Sequence, residues 1–234
     1  VAWDADNERI RARTQERLGA LRLKDGPLAD PDPSATAAAL VEGLRATELE
    51  LLPWSKNARR LQQRLVFLHE HLDDWPDASA SHLLSTLDDW LAPHLYGMRR
   101  VSDVRGLNLP ELLKQRLSWD QRDRLDDLAP THLTVPSGQN RPIDYSEPEA
   151  PALKVRLQEM FGATDTPRIA GGAVPLTLHL LSPAQRPVQI TQDLVHFWDE
   201  TYFEVKKEMK GRYPKHYWPD DPLTATATHR VRPR

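Results

Sequence analysis

A short segment near the carboxyl terminus combines the residue types that contact nucleic acids. It reads Gly-Arg-Tyr-Pro-Lys-His-Tyr-Trp-Pro from residue 211 to residue 219. The prolines favour an extended backbone, so Arg and Lys can neutralise phosphates while aromatic rings stack on unpaired bases. The candidate contact residues in this segment are Arg212, Tyr213, Lys215, His216 and Trp218. The alternative is that the same rings pin the tail onto its domain, because aromatic residues beside prolines commonly pack.

Histidines and paired acids are frequent, but their spacing does not indicate a catalytic or metal site. His69 and His71 lie two positions apart, which separates their rings by about 200° around a helix. Two zinc-binding histidines on a helix need a spacing of four. Doubled aspartates such as Asp73-Asp74 and Asp126-Asp127 point apart on a helix, whereas acid–base catalysis needs carboxylates that converge. Both groups are predicted to be solvated surface residues.

Motifs of nucleotide hydrolysis and covalent catalysis are absent from the sequence. There is no Gly-x-x-x-x-Gly-Lys-Ser/Thr phosphate loop, and Gly171-Gly172 is not followed by the lysine that a nucleotide site needs. There is no Gly-x-Ser-x-Gly elbow. The chain has no cysteine, which excludes disulfides, thiolate zinc sites and cysteine nucleophiles. We expect no catalytic residue, no metal and no cofactor in this stretch of chain.

Basic residues are concentrated at the carboxyl terminus. The net charge is −3 over 234 residues. Residues 204–234 hold eight Lys/Arg against four Asp/Glu, a balance of +4 that leaves −7 for residues 1–203. No apolar run approaches the roughly 18 residues that cross a bilayer, and the first residues lack a signal-peptide pattern. We expect a cytoplasmic protein without membrane contact, and a fragment that begins mid-protein explains the missing initiator Met.

Residues 1–30 are predicted to form a strand pair. Residues 1–3 and 10–13 flank a turn-forming Asp-Ala-Asp-Asn, and residues 18–23 continue the alternation. A two-stranded ribbon is barely stable alone. We therefore expect this pair to complete a sheet.

Residues 31–129 are predicted to form a small helical bundle. Leucine and other apolar residues recur there at helical spacing. Three of the predicted helices begin after residues that favour capping, namely Asp32, Ser55 and Asn108. Another helix is predicted over about residues 80–92, and the helix that follows Asn108 could continue to Leu128.

Residues 130–234 are predicted to form a mixed strand and helix domain with a basic tail. The pattern indicates a hairpin over 131–145, a strand over 174–181, and a helix that Thr191 caps. Residues 220–234 contain few apolar side chains and are predicted to fray. The three segments together predict an α+β fold.

Two strings in the last third of the chain are distinctive. The first reads Val-Pro-Leu-Thr-Leu-His-Leu-Leu-Ser-Pro-Ala-Gln-Arg-Pro-Val-Gln-Ile-Thr-Gln-Asp-Leu over residues 174–194, and the second joins Gly-Arg-Tyr-Pro-Lys-His to Trp-Pro-Asp-Asp-Pro over residues 211–222. Weaker matches lie at residues 51–55, 90–95, 129–138 and 156–162. These strings resemble the C-terminal region of HrpB-type bacterial ATP-dependent helicases, which are related to DEAH-box proteins.

The resemblance implies a bacterial protein whose N-terminal half carries two RecA-like lobes that use ATP and Mg²⁺ to move along RNA or DNA. A winged-helix and ratchet-type region and an OB-like region would follow, with residues 1–30 at the far edge of the OB-like region. None of the ATP-handling motifs falls on a position in this sequence. ATP and Mg²⁺ would therefore belong to motor domains outside it.

Two functions of this region remain open from the sequence. It could be an accessory module that contacts single-stranded RNA or DNA through Arg186, Arg212, Lys215 and the neighbouring aromatic residues. It could instead be a protein-docking scaffold that braces the motor domains or recruits an unidentified protein partner, with Tyr213 and Trp218 serving only to pack. The −7 balance of residues 1–203 favours the scaffold for the helical part. An independent enzyme has the least support.

Overall fold

The computed structural model describes residues 1–18 and 20–233, without the side chains of residues 16–18, 22 and 24. Gly19 and Arg234 lie outside the description, including the part that these two play in the predicted strand pair and basic tail. The chain divides into two compact units, Val1–Val66 with Pro76–Ser118 and Phe67–Trp75 with Trp119–Arg234. The predicted mixture of strand pairs, helices and a C-terminal sheet is confirmed. The domain borders at residues 30 and 129 stay predictions.

The first unit begins with two antiparallel strand pairs. Strand β1 (Ala2–Asp4) pairs with β2 (Arg9–Arg11), and β3 (Arg13–Leu18) pairs with β4 (Leu21–Pro27). The indole of Trp3 lies where a Cβ on Gly43 would sit, because an added Cβ would come within 2.6 Å of its ring. Glycine at this position therefore lets the strand pair pack closely on the first helix. Completion of an OB-like sheet stays a prediction.

Short helices make up the rest of the first unit. They are α1 (Pro33–Ala46), the first part of α2 (Lys56–His71), α3 (Ala80–Ser85), α4 (Leu87–Trp90), a 3₁₀ turn (Ala92–Leu95), α5 (Val101–Arg105) and α6 (Leu109–Gln115). The predicted caps are confirmed, since Asp32, Ser55 and Asn108 accept hydrogen bonds from the backbone N–H of Ala35, Ala58 and Glu111. The buried side chains are mainly leucines from these helices.

One helix prediction in the first unit is wrong. The single helix over residues 80–92 is interrupted at Thr86, where the backbone leaves the helical region (φ −101°, ψ 18°). The Thr86 hydroxyl donates to the carbonyl of His82 at 2.7 Å, a side-chain bond that competes with continued helix formation. The turns therefore form two short helices rather than one.

The second unit contains the last helix of the predicted bundle and a mixed five-stranded sheet. Helix α7 (Trp119–Leu128) is separate from α6. The sheet comprises β5 (His132–Thr134), β6 (Asn140–Asp144), β7 (Ala152–Arg156), β10 (Thr177–Leu181) and β11 (Pro187–Thr191), in the order β11-β10-β7-β6-β5. Strands β10 and β7 are parallel, and the other neighbours are antiparallel. The predicted hairpin is confirmed as β5 and β6.

The predicted strand over residues 174–181 is present in two pieces. Residues Val174–Pro175 form β9, which pairs with β8 (Arg168–Ile169), while Thr177–Leu181 pair with β7 and β11. Pro175 has no N–H to donate to a continuous ladder. The missing N–H of Pro175 explains why one continuous apolar segment divides into strands of two different sheets.

A long helical segment follows the sheet and leads to the candidate site. It comprises α8 (Leu194–His196), a π-helical turn (Phe197–Thr201) and α9 (Tyr202–Arg212). Asp193 caps it by accepting from the His196 N–H at 2.8 Å, so the prediction of Thr191 as the cap is wrong by two residues. Thr191 instead accepts from the Asp193 N–H.

Within the described part of the chain, no helix combines the length and apolar character needed to span a bilayer.

The C-terminal tail is packed, so the prediction that residues 220–234 fray is wrong over its described part. Gly162 N–H donates to Pro222 O at 2.8 Å, and Thr228 N–H donates to Gln158 O at 2.9 Å. Ala225 and Thr228 are buried. Backbone hydrogen bonds hold this segment against residues 156–162, which compensates for its small number of apolar side chains.

Candidate nucleic-acid interface

The predicted contact segment begins where α9 ends. Tyr213 N–H donates to Met209 O at 2.7 Å, and His216 N–H donates to Tyr213 O at 3.1 Å. Pro214 has no N–H and disfavours a helical conformation at the preceding residue. The chain therefore leaves the helix as a turn that presents Pro214 and Lys215 to solvent.

Two aromatic rings of this segment face inward. Trp218 is only 9% exposed, and its indole N–H donates to Tyr213 O at 3.0 Å. Tyr217 packs edge-on against Phe161, with ring centroids 6.0 Å apart. The packing interpretation therefore applies to Trp218, which offers little surface for stacking on a base.

His216 is half-buried and held by a second-unit glutamine. Its ring Nδ1 donates to Oε1 of Gln158 at 3.1 Å, because the amide N of the same glutamine donates to Tyr217 O. Burial lowers the pKa of His216 below its usual 6.5, and the charge of Arg156 lowers it further. The ring is therefore largely neutral at pH 7 and contributes hydrogen bonding rather than charge.

The cations of the segment are exposed. The Arg212 guanidinium lies 2.9 Å from a carboxylate oxygen of Glu208 one helical turn earlier, and both side chains are more than half exposed. Such a pair contributes little stability, so a phosphate can displace it at small cost. Lys215 is exposed at the turn.

Two neighbouring grooves share Pro214 and His216 in their linings. The first, of about 310 Å³, is lined by Arg212, Tyr213, Pro214, Lys215, His216 and Val231. The second, of about 280 Å³, is lined by Lys210, Pro214, His216, Tyr217, Trp218 and Arg232. We call them together the basic grooves. Five of the six predicted contact residues line them.

Lys210 and Arg232 belong to this surface but were not among the predicted residues. The +4 balance of the tail indicated the region but not the individual positions. Arg232 was missed because its segment was predicted to fray. Its guanidinium Nε donates to Lys215 O at 3.2 Å, and Tyr217 N–H donates to Val231 O at 2.9 Å. The tail thus returns to form one wall of the grooves.

Arg186 is the predicted contact residue that does not line the basic grooves. It lies in the turn between β10 and β11, where its N–H donates to the Ser182 hydroxyl at 3.1 Å and its carbonyl accepts from Ser182 N–H at 2.8 Å. Gln185 precedes it with a left-handed backbone (φ +60°). The turn is thereby fixed, and the Arg186 side chain is exposed.

An α+β region with a basic, aromatic-bordered surface is therefore what the fold and this site define. The chain belongs to the HrpB_C family, described as "ATP-dependent helicase C-terminal", whose model matches residues 90–222. The predicted membership of the HrpB-type helicases is confirmed.

An Escherichia coli relative and two crystal structures agree with this family. The chain is 44% identical over 234 residues to the ATP-dependent RNA helicase HrpB of Escherichia coli (strain K12). This match covers 99% of this chain but only 29% of that protein. The crystal structure of the E. coli DExH-box NTPase HrpB matches with a TM-score of 0.82 and 44% identity, over 98% of this chain and 29% of that one. That of the Escherichia coli DEAH/RHA helicase HrpB matches with a TM-score of 0.70 and 42% identity, over 93% and 28%. The chain thus spans less than a third of the length of these relatives.

Proposed function

We propose that this chain is a non-catalytic accessory region of a bacterial, cytoplasmic ATP-dependent helicase, and that it contacts single-stranded RNA or DNA through the basic grooves. ATP and Mg²⁺ would be bound by the motor domains of the same protein. The observation that carries the proposal is the convergence of Lys210, Arg212, Lys215 and Arg232 on two adjoining grooves. Exposed cations that border a groove are the usual means of holding a phosphate backbone.

The roles within the grooves follow from the burial of each residue. Arg212 and Lys215 would neutralise phosphates, because both are exposed. Tyr213 is half-buried beside His216, with ring centroids 6.0 Å apart, so its remaining exposed surface could border a base. Trp218 would support the turn from beneath.

The proposal is tested by fluorescence anisotropy with fluorescein-labelled oligo(U) and oligo(dT) over a salt series. For single strands, each phosphate contact makes the slope of log K against log salt steeper by about 0.7. Between 1 M and 0.1 M salt, one such contact therefore raises the affinity by about 5-fold. The double substitution Arg212→Gln with Lys215→Gln should therefore lower the slope by about 1.4 and the affinity by about 25-fold. The matched control is Lys114→Gln with Arg122→Gln, which removes two exposed cations from helices α6 and α7. An unsubstituted chain that binds neither probe, or binds both independently of salt, would contradict the proposal.

The second candidate is a protein-docking scaffold that braces the motor domains or recruits a protein partner. The inward packing of Trp218 and Tyr217 supports it, because these rings pack within the chain and offer little exposed surface to a ligand. This function predicts equal affinity for the probes in the Arg212→Gln, Lys215→Gln chain and in its control. It also predicts that substitutions in the segment change stability alone.

A further inference from the structure

A separate cleft lies on the outer face of the five-stranded sheet in the second unit. Along β7, Leu153 and Val155 are buried while Lys154 between them is exposed. His179 of β10 is the register partner of Lys154, and Leu181 is that of Arg156. Alternation along both strands therefore places Lys154, Arg156 and His179 on one face.

The cleft has a volume of about 490 Å³, and we call it the sheet cleft. It is lined by Gln139, Arg141, Pro142, Lys154, Val155, Arg156, His179, Leu181, Gln185, Pro187 and His229. Among these described lining residues are three cations and two histidines, and no carboxylate. Arg186 lies between two of them in the turn.

Two of the lining cations, Arg141 and Lys154, form ion pairs with carboxylates. Glu159 is fully buried and forms a two-pronged ion pair with Arg141, with a distance of 2.8 Å from Nε to Oε2. Asp144 lies 3.6 Å from the Lys154 ammonium, and that lysine side chain is 60% exposed. A pair at this distance and exposure is weak. Lys154 and the exposed Arg186 can therefore bind an added anion.

The tail connects the sheet cleft to the basic grooves. Arg156 donates from Nη1 to His229 O at 3.3 Å, and His229 lines the sheet cleft. Val231 and Arg232, two and three residues further on, line the basic grooves. Three residues of extended chain span at most about 10 Å. The two surfaces therefore adjoin the same short segment.

We propose that the sheet cleft is a second phosphate-binding surface, and that one single strand of nucleic acid passes from the basic grooves along residues 229–232 into it. This inference rests on the proposed function of the grooves. Lys154, Arg156 and Arg186 hold phosphates, while Gln139, Gln185 and the imidazole of His179 offer hydrogen bonds to base edges or ribose hydroxyls. Continuity with the grooves favours a polynucleotide over an acidic protein segment.

The test varies the length of the strand. Anisotropy is measured with fluorescein-labelled oligo(U) of about 4 to about 16 nucleotides, a range that covers known site sizes for single-stranded binding. The variant Lys154→Gln with Arg186→Gln removes one exposed cation that lines the sheet cleft and one exposed cation from the adjacent turn, and it keeps the Arg156 bond to the tail. The variant Lys114→Gln with Arg122→Gln is the control, and circular dichroism checks that all chains are folded.

Affinity of the unsubstituted chain should rise with length until one strand reaches both surfaces. In the sheet-cleft variant the longest probe should lose about 25-fold in affinity at 0.1 M salt, with a salt slope lower by about 1.4, while the shortest probe loses less. If the longest probe responds to Arg212→Gln with Lys215→Gln but not to the sheet-cleft variant, this inference fails and the proposed function stands. If no probe binds the unsubstituted chain, both fail. If a labelled oligo-glutamate peptide binds and only its affinity falls in the sheet-cleft variant, an acidic protein segment occupies the cleft and the inference is overturned.

Discussion

Replacement of Trp218 by alanine is expected to lower the free energy of unfolding by about 3–5 kcal/mol. The indole is 9% exposed, and its N–H donates to Tyr213 O at 3.0 Å. A buried tryptophan removes about 150–250 Å² from water. At about 25 cal/mol per Å² this burial contributes about 4–6 kcal/mol, as an upper estimate. Loss of the hydrogen bond adds about 1 kcal/mol. Because the unfolded chain already buries about 10–40% of this area, the total falls to about 3–6 kcal/mol, a range that contains the expected loss.

Urea denaturation followed by far-UV circular dichroism measures this change. With a dependence of about 1–3 kcal/mol per molar urea, a loss of 3 kcal/mol lowers the midpoint by at least about 1 M. Trp119→Ala is the matched control, because the same side chain is removed from a position that is 81% exposed. Its effect should stay within about 0.5 kcal/mol. If Trp218→Ala is as mild as Trp119→Ala and instead abolishes oligonucleotide binding, Trp218 is a stacking platform and the packing argument is refuted.

Three further predictions concern the elements that hold the site together. Arg141→Ala leaves the fully buried Glu159 without its partner, so urea denaturation should show a loss of about 3–5 kcal/mol, and substitution of both by Met and Leu should lose less. Gly162→Ala should cost about 1–2 kcal/mol in the same assay, because the backbone is left-handed (φ +78°) and the new Cβ meets Ala225 O at 3.4 Å; Gly211→Ala, with nothing within 4 Å, should not destabilise. The lowered pKa of His216 means that the unfolded state binds its proton first. Its contribution to stability is complete above the usual pKa of 6.5 and falls as pH drops towards the folded pKa, so His216→Asn should reduce the slope of stability against pH in that window, and an unchanged slope would contradict the assignment.

Local chemistry made the helix starts predictable. Asp32, Ser55 and Asn108 accept backbone hydrogen bonds as their residue types and positions predict. The break at Thr86 was not predictable from apolar spacing, because the leucine stripe continues across it. The packing of the C-terminal tail was not predicted, for a related reason. Its anchors are backbone bonds such as that from Thr228 N–H to Gln158 O, which leave no trace in a hydrophobic pattern.

The candidate site was predictable by segment but not by the role of each residue. Arg, Lys and aromatic side chains interleaved with prolines indicated the Gly211–Pro219 region. Which rings are buried depends on partners far away in sequence, such as Phe161 for Tyr217 and Gln158 for His216. Arg232 joins the site only because the tail folds back. Arg186 was predicted with the same set, yet it lies apart from the grooves, between Gln185 and Pro187, which line the sheet cleft.

Contact between the basic grooves and a nucleic-acid strand is the central feature of the proposed function. Photo-crosslinking of the chain to oligo(U) that contains 4-thiouridine, followed by mass spectrometry of the peptides, locates that contact directly. We predict crosslinks within residues 210–232, with Tyr213 and Lys215 among the modified positions, and their loss in high salt. Crosslinks confined to residues 33–118 would contradict the account and place any contact on the helices of the first unit.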